Sequence, residues 1–210
     1  MTNKGVFITF EGGDGTGKTT QIKMLNEYIK AKGINTHLTR EPGGCPISER
    51  IREILLTGDV ESLDELSEAY LFAASRHEHV RQVIRPKLDL GICVLSDRFY
   101  HSTYVYQSFA GGLDFEFVEY ITKKAIEGTE PDLTIILDID PEIGLERAKG
   151  RELFQEELRM ESKAFEFHKK VRQGFLESAK SGNSVVINAN QDINKVHEDI
   201  VKALEERNLV

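Results

Sequence analysis

The sequence has no tryptophan, and its 210 residues include only two cysteines and five prolines. The cysteines, Cys45 and Cys93, lie far apart and neither has a CxxC partner, so neither a disulfide framework nor a cysteine-bound metal is expected. No run approaches the roughly 18 apolar residues of a membrane-spanning helix. The N-terminal residues also lack the long apolar core of a signal peptide. These absences favour a soluble, cytoplasmic protein.

An excess of basic residues is also lacking. The 27 lysines and arginines face 35 acidic residues, which gives a formal net charge of -8 and a pI near 5.4. Proteins that bind nucleic acid or anionic membranes usually present a basic face, so neither partner is expected. An anionic ligand would have to meet local basic groups, for which the sequence offers Arg40, Arg52, Arg76, Arg98, Arg147, Arg151 and Arg159.

Short β-rich apolar runs alternate with helical patterns along the chain. The runs predict five strands at residues 6–10, 36–39, 92–96, 133–139 and 184–188. Helices are predicted at residues 18–32, 47–56, 63–88, 115–126, 161–180 and 192–207. Alternating strands and helices indicate an α/β fold, with a largely parallel five-stranded sheet covered by helices on both faces. We expect a single domain over residues 1–210, with its ligands at the carboxyl ends of the strands.

A glycine-rich segment follows the first predicted strand and precedes the first predicted helix. It matches the phosphate-loop pattern G-x-x-x-x-G-K-[ST] with Gly12, Gly13, Asp14, Gly15, Thr16, Gly17, Lys18 and Thr19. Glycines let successive backbone N–H groups converge on phosphate oxygens, and the helix N-terminus adds positive charge. Lys18 would hold the β- and γ-phosphates of ATP, and Thr19 would bind Mg²⁺. A turn without a ligand would need neither side chain.

A phosphate loop occurs in switches, motors and kinases alike, so other segments must show which of these classes the chain belongs to. A GTPase should carry N-K-x-D after a later strand, and residues 194–197, with the sequence NKVH, fail this pattern. A motor or partition ATPase would need a larger body or a second loop lysine. The arginines at strand ends favour a kinase with a phosphate-bearing acceptor. Another small-molecule kinase and, from a different class, a regulatory ATPase remain as alternatives.

Several further motifs occur in a characteristic order. They are FEGGDGTGKTTQ at residues 10–21, TREPGG at 39–44, LFAASRHEH at 71–79, SDRFYHSTYVYQ at 96–107, PDLTIILDIDPEIGLERA at 131–148 and LRME at 158–161. By these motifs the chain resembles the bacterial thymidylate kinases. The resemblance implies a nucleoside monophosphate kinase-like P-loop fold, transfer of a phosphoryl group from ATP to dTMP with Mg²⁺, and a homodimer.

The resemblance also implies roles for individual residues. Asp14 would approach the 3′-hydroxyl of dTMP, while Phe72 would stack on thymine and Arg76 would donate to its carbonyl. The spacing of Phe72 and Arg76 places both on one helix face. Asp97 would serve the Mg²⁺ and phosphate region, and Arg98 would bind the acceptor phosphate. The plainer alternatives are a turn-favouring aspartate at position 14 and a core phenylalanine beside a surface arginine.

Further contacts to dTMP are implied at two other places. The candidates near the second predicted helix are Arg40, Glu41 and Pro42 before it and Arg52 on it. Either arginine could instead be a solvated surface charge. After the third strand, contacts to the base edge and the deoxyribose are implied for Ser102, Tyr106 and Gln107. The ring of Tyr106 would fill the space of a ribose 2′-hydroxyl, unless it is a structural core tyrosine. Whether Pro42 is cis stays open at this level.

A charged stretch at about residues 149–161 is predicted to form a lid. The phosphate loop has no arginine between Gly12 and Lys18, so positive charge for the transferred phosphoryl group should come from elsewhere. Arg147, Arg151 and Arg159 are the candidates; the resemblance favours Arg151 for this contact and Arg147 for ATP binding. The alternative is that these arginines are simply solvated.

The His77-Glu78-His79 sequence has little functional weight at this level. Side chains at positions i and i+2 of a helix point apart, so the two histidines should not share a zinc ion. We expect a partly exposed helix face there.

Overall fold

The computed structural model describes residues 4–57, 63–149, 165–180 and 182–210. Its sheet has five strands in the order β2-β3-β1-β4-β5. In chain order, β1 to β5 span Phe7–Glu11, Thr36–Arg40, Cys93–Asp97, Leu133–Asp138 and Ser184–Asn188. Every neighbouring pair is parallel, which confirms the predicted sheet.

The central strand β1 shows why the sequence forms this sheet. All of its residues are buried, as expected for a parallel strand with helices on both faces. Ile8 and Phe10 pack into one core, whereas Phe7 points into the core on the opposite face. This alternation gives a three-layer α/β/α arrangement, in which both faces of the sheet exclude water.

Within the described residues, helices are present at each of the six predicted patterns, and two further helices, at residues 100–103 and 141–149, were not predicted. Helices α1 to α9 span Lys18–Ala31, Pro46–Thr57, Glu65–His79, Arg85–Asp89, Tyr100–Thr103, Phe115–Ile126, Pro141–Lys149, Phe165–Ser178 and Ile193–Glu205. Helices α1 and α9 cover one face of the sheet through the same hydrophobic core. On the opposite face, α4 and α8 contribute to two further apolar clusters. None of the helices in the described ranges is both long and apolar enough to cross a membrane.

The helix predicted at residues 63–88 is interrupted. A π-helical turn, Val80–Ile84, separates α3 from α4, and the N–H of Arg85 bonds to the carbonyl of Val80. Pro86 has no N–H and its ring would clash with the carbonyl four residues earlier, so the regular α-helical ladder cannot continue. A second π-helical turn, Tyr104–Phe109, extends α5.

The carboxyl ends of the strands meet along one edge of the sheet. Phe10 in β1 pairs with Asp97 in β3, and Arg40 in β2 pairs with the same aspartate. Because β1 lies between β3 and β4, the loop that follows it opens at the point where the strand order reverses. Ligand crevices of α/β proteins form at such points.

Candidate active site

The loop between β1 and α1 packs tightly against its neighbours. Gly12 has a φ of 130°, and a Cβ there would lie 2.4 Å from the carbonyl oxygen of Leu137 in β4. At Gly15, with a φ of 70°, a Cβ would lie 1.9 Å from the carbonyl oxygen of Gly144 in α7. Only glycine fits such approaches, so these glycines are required both by their backbone angles and by their contacts.

Lys18 lies inside this loop. Its Nζ donates to the carbonyl oxygens of Gly12 at 3.0 Å and Gly13 at 2.8 Å, and the side chain is buried. Burial, together with the nearby positive charge of Arg98, lowers the pKa of Lys18 to about 8. The negative charge of a phosphate beside this amine would favour its protonated form. The loop therefore has the shape and charge of a phosphate cradle.

An oxygen pair lies at the start of α1. The hydroxyl of Thr19 donates to Oδ2 of Asp97, the last residue of β3, at 3.2 Å. Hydroxyl and carboxylate oxygens are the ligands that Mg²⁺ prefers, and the ion commonly takes only one or two carboxylates in phosphate-binding sites. Thr19 and Asp97 therefore offer the kinds of oxygen ligand that the Mg²⁺ implied by the sequence would need.

Arg98 is at the centre of the contacts next to the phosphate loop. Its backbone has a φ of 66°, in the left-handed region that non-glycine residues rarely adopt. The guanidinium donates to the carbonyl of Gly12 at 3.2 Å, to Ser102 Oγ at 3.0 Å and to Asp14 Oδ1 at 3.1 Å. It also lies over the ring of Tyr106, with Cζ 5.2 Å from the centroid. The structure thus brings together four residues predicted to bind one ligand.

Glu11 supports this cluster, and the sequence analysis missed it. The carboxylate is buried and accepts the N–H groups of Phe99 at 2.9 Å and Ser102 at 3.3 Å, and the hydroxyl of Ser102 at 2.6 Å. Burial raises the pKa of Glu11 to about 7, although the charge of Arg98 opposes that shift. An acidic residue that ends an otherwise apolar, fully buried strand was the signal for this role.

Arg76 lies deep in the protein, only 2% exposed. Its Nε donates to Oε2 of Glu41 at 2.7 Å, and its Nη2 donates to the carbonyl of Phe99 at 3.2 Å and to Thr103 Oγ1 at 3.0 Å. Phe72, one helical turn earlier on α3, is half-buried. The Arg76 guanidinium is therefore anchored through two of its nitrogens, which rules out a surface arginine at this position.

Two buried polar atoms of the predicted dTMP site have no hydrogen-bond partner among the described residues. They are Oδ2 of Asp14, an acceptor, and Nη1 of Arg76, a donor. Buried polar groups are normally satisfied, because an unpaired one costs roughly 1–3 kcal/mol. A ligand with a hydroxyl donor and a carbonyl acceptor would satisfy both atoms.

Tyr106 and Gln107 lie on the π-helical turn that follows α5. The ring of Tyr106 packs edge-on against Phe175 with centroids 6.1 Å apart, so the tyrosine is part of a core cluster as well as a neighbour of Arg98. The amide of Gln107 is buried and donates to Oε2 of Glu68 at 3.3 Å. Both side chains are thus held in fixed orientations beside the site.

The turn after β2 holds the remaining acceptor-side candidates. Arg40, which is exposed, pairs with the half-buried Glu49 at 3.0 Å, whereas Arg52 donates to the carbonyl of Pro42 at 2.9 Å. The peptide bond between Glu41 and Pro42 is cis. Glu41 contacts Arg76, a predicted site residue on another element of the fold.

The predicted lid lies almost entirely outside the described residues, and so do Arg151 and Arg159. Arg147, on α7, donates to the carbonyl of Ala189 at 3.1 Å, just beyond β5. Arg172 of α8 pairs with Asp138 at 2.7 and 3.0 Å. This bidentate pair joins α8 to the end of β4, and the sequence analysis had not identified it.

The expectation of a partly exposed face at residues 77–79 is wrong for His79. His77 faces the carbonyl of Ala125 in α6, whereas His79 is 0% exposed and contacts Thr39 and Glu41. The rings do point apart, as the spacing required. His79 is buried because the end of β2 and the turn after it lie against that end of α3, and they supply polar partners for both ring nitrogens, Thr39 from β2 and Glu41 from the turn.

The parallel sheet, the phosphate loop at its switch point and the arginine-rich acceptor side define a P-loop kinase of the nucleoside monophosphate kinase type. Comparison with known families agrees, since the sequence model of the family described as thymidylate kinase matches residues 10–200. The chain belongs to the thymidylate kinase family.

Relatives within this family align along nearly their whole length. A thymidylate kinase of Sulfurihydrogenibium sp. is 44% identical over 208 residues, which cover 98% of this chain and 100% of the relative. A thymidylate kinase of Magnetococcus marinus is 47% identical over 206 residues, covering 97% of each chain. One of Maridesulfovibrio salexigens is 45% identical over 208 residues and 96% of each chain.

Proposed function

We propose that this protein transfers the γ-phosphoryl group of ATP to dTMP, giving ADP and dTDP. The observation that carries the proposal is the contact between the phosphate loop and the acceptor side, where Asp14 meets Arg98 at 3.1 Å beside Tyr106. An acceptor bound at this contact would lie next to the donor phosphates, and the membership of the chain in the thymidylate kinase family supports this arrangement. We expect the phosphoryl group to pass directly from ATP to dTMP, in line and without a covalent enzyme intermediate. For such a reaction the protein only needs to position two phosphates and stabilise their charge.

On the donor side, the loop amides and Lys18 would bind the β- and γ-phosphates. Thr19 and Asp97 would hold Mg²⁺, which would offset the negative charge of the phosphates. Arg147 would contribute to ATP binding near residue 189. For the transferred phosphoryl group we propose Arg151, because the loop itself has no arginine.

On the acceptor side, Arg98 would bind the phosphate of dTMP through its guanidinium fork. The unpaired Oδ2 of Asp14 would accept the 3′-hydroxyl, and the unpaired Nη1 of Arg76 would donate to a thymine carbonyl. Phe72 would stack on the base, and the Tyr106 ring would exclude a ribose 2′-hydroxyl.

Other acceptor contacts have less support from geometry. Ser102 and Gln107 would contact the deoxyribose and the base edge, close to the groups that already orient them. Arg40, Glu41, Pro42 and Arg52 would line the same side, with Glu41 acting through its ion pair to Arg76.

Acceptor selectivity tests the proposal directly. ADP release should be measured with dTMP, dUMP, UMP, CMP, AMP and shikimate under the same conditions. We expect dTMP to be the preferred acceptor. Preference for another acceptor would support a different kinase, and hydrolysis of ATP that no acceptor stimulates would support a regulatory ATPase.

We further propose a single domain, a cytoplasmic location and a homodimer. Support for the dimer comes from large apolar side chains exposed on α3 and α6, two helices that pack together, namely Leu66, Tyr70, Phe115 and Tyr120. Such patches mark interaction surfaces. Light scattering should give the mass of a dimer for the wild type, and Tyr70→Asp should shift it toward the monomer. A monomeric wild type at high concentration would refute this part.

A further inference from the structure

A chain of buried polar contacts includes Arg76 and links it to the end of β2. It joins Thr39 at the end of β2, Glu41 in the next turn, His79 at the end of α3 and Arg76 one turn earlier on that helix. The side chains of Arg76, Glu41 and His79 are between 0 and 3% exposed. Polar groups buried to this degree need partners, and here each one is the partner of the next.

The distances specify how the chain is connected. Nδ1 of His79 lies 3.0 Å from Oε1 of Glu41, and Nε of Arg76 lies 2.7 Å from the other carboxylate oxygen. Nε2 of His79 lies 2.6 Å from the hydroxyl of Thr39. An ionised carboxylate only accepts hydrogen bonds, so Nδ1 of His79 must carry a proton and donate it. Both oxygens of Glu41 are therefore engaged, one by each helix residue.

Fixing Glu41 also fixes the direction of the Arg76 guanidinium. The group is planar, and its Nε and Nη2 are held by Glu41, the Phe99 carbonyl and Thr103. The orientation of Nη1 follows from those two anchors. Nη1 is buried and has no partner in the ranges that the structure covers, so it is the donor left for a ligand.

The turn after β2 is built around the His79 ring. A Cβ on Gly44 would lie 2.4 Å from Nε2 of His79, so a larger residue there would collide with the ring. Thr39, Glu41 and Gly44 of the TREPGG motif all contact this one histidine. The motif and the LFAASRHEH helix therefore form one unit.

We propose that His79 is a positioning residue for dTMP, which holds Glu41 so that Glu41 can aim Nη1 of Arg76 at the thymine base. This inference rests on the proposed function, in which Arg76 contacts the base. It assigns His79 no contact with substrate and no part in phosphoryl transfer.

Two polar substitutions separate the positioning role from simple core packing. The amide nitrogen of asparagine occupies nearly the place of Nδ1, so His79→Asn keeps the donor to Glu41. The amide of glutamine reaches the place of Nε2, so His79→Gln keeps only the partner of Thr39. His79→Leu keeps volume and removes both contacts.

Kinetics with saturating co-substrate should distinguish the variants. Because misplaced binding groups cost about 10- to 100-fold, we expect roughly a tenfold rise in the KM for dTMP with His79→Gln and His79→Leu. His79→Asn should stay within about threefold of wild type by the same reasoning. The KM for ATP should not change in any of the three. If the leucine variant does not fold, the comparison of asparagine with glutamine decides alone.

A double-mutant cycle tests whether His79 acts through Arg76. Binding of dTMP should be measured by calorimetry in the wild type, His79→Gln, Arg76→Ala and the double variant. Residues that act through one contact give non-additive effects, so His79→Gln should add little when Arg76 is already alanine. Additive losses, an asparagine variant no better than glutamine, or equal rises in the KM for ATP and dTMP would overturn the proposal.

The same experiment separates this inference from the proposed function. If the wild type does not phosphorylate dTMP, the proposed function fails. If Arg76→Ala binds dTMP as the wild type does, the base contact fails. If both hold and His79→Gln is unaffected, only the positioning role is refuted.

Discussion

The buried carboxyl group of Glu11 makes a specific prediction about stability and pH. Its pKa is raised by burial to about 7, from an ordinary value of 4.5. Between these values the unfolded chain has released the proton and the folded protein still holds it, so stability falls as pH rises. The stabilisation is complete below the unfolded pKa and is lost as pH rises through about 7.

The size of the effect follows from the shift. Since one pKa unit corresponds to about 1.4 kcal/mol, the whole window is worth about 3 kcal/mol. Glutamine imitates the protonated acid: its oxygen can accept the N–H groups of Phe99 and Ser102, and its amide can donate to the Ser102 hydroxyl. Glu11→Gln should therefore match the wild type near about pH 5 and be more stable by about 2 to 3 kcal/mol near about pH 8.5.

Urea or thermal unfolding of both proteins across that pH range measures the difference directly. For a chain of this size, the expected gap at the alkaline end is roughly 4 to 12 °C in Tm. Titrating groups that do not interact with Glu11 cancel in the comparison, and Lys18, whose pKa of about 8 the charge of Glu11 helps to raise, adds a minor difference near the alkaline end. Glu146→Gln, which removes an exposed carboxylate, is the matched control and should follow the wild type.

Two outcomes would refute the reasoning. Parallel stability profiles for wild type and Glu11→Gln would mean that Glu11 does not titrate in this window. A glutamine variant that is less stable at alkaline pH would mean that the charge of Arg98 lowers the pKa of Glu11 by more than burial raises it.

Substitutions at three further residues test individual roles. Lys18→Ala should lower kcat by about 10³-fold, since it removes a preorganised positive charge at the phosphates; wild-type turnover in a folded variant would contradict that role. Phe72→Ala should raise the KM for dTMP by about 3- to 10-fold, the value of one aromatic contact, and leave kcat nearly unchanged; an unchanged KM would exclude stacking. Tyr106→Phe should keep discrimination between dTMP and its ribonucleotide analogue, whereas Tyr106→Ala should lose it, as competition assays would show; loss with phenylalanine would shift the barrier from the ring to the hydroxyl.

Local patterns were enough to predict the sheet and the phosphate loop. Strands such as Phe7–Glu11 are read from a short apolar run because a central parallel strand is buried on both faces. The loop is read from its glycines and Lys18 because its conformation depends on backbone freedom within a few residues. Such features involve neighbours along the chain, so the sequence alone predicts them.

The resemblance supplied residue roles that the local pattern could not. It grouped Asp14, Arg98 and Tyr106 as ligands of one nucleotide, and the structure places them in contact. The helical pattern predicted one unbroken helix through Pro86. Because proline has no backbone N–H, the hydrogen bonds before it form a π-helical turn instead.

The sequence by itself therefore determined the P-loop kinase fold and the phosphate-binding segment of this protein. Only the tertiary structure decided which polar groups are buried and what satisfies them. Glu11 and His79 look like an ordinary strand end and an ordinary helix face until residues far away in the chain close over them. A buried charge is stable only with partners in the right geometry, and those partners come from other elements of the fold.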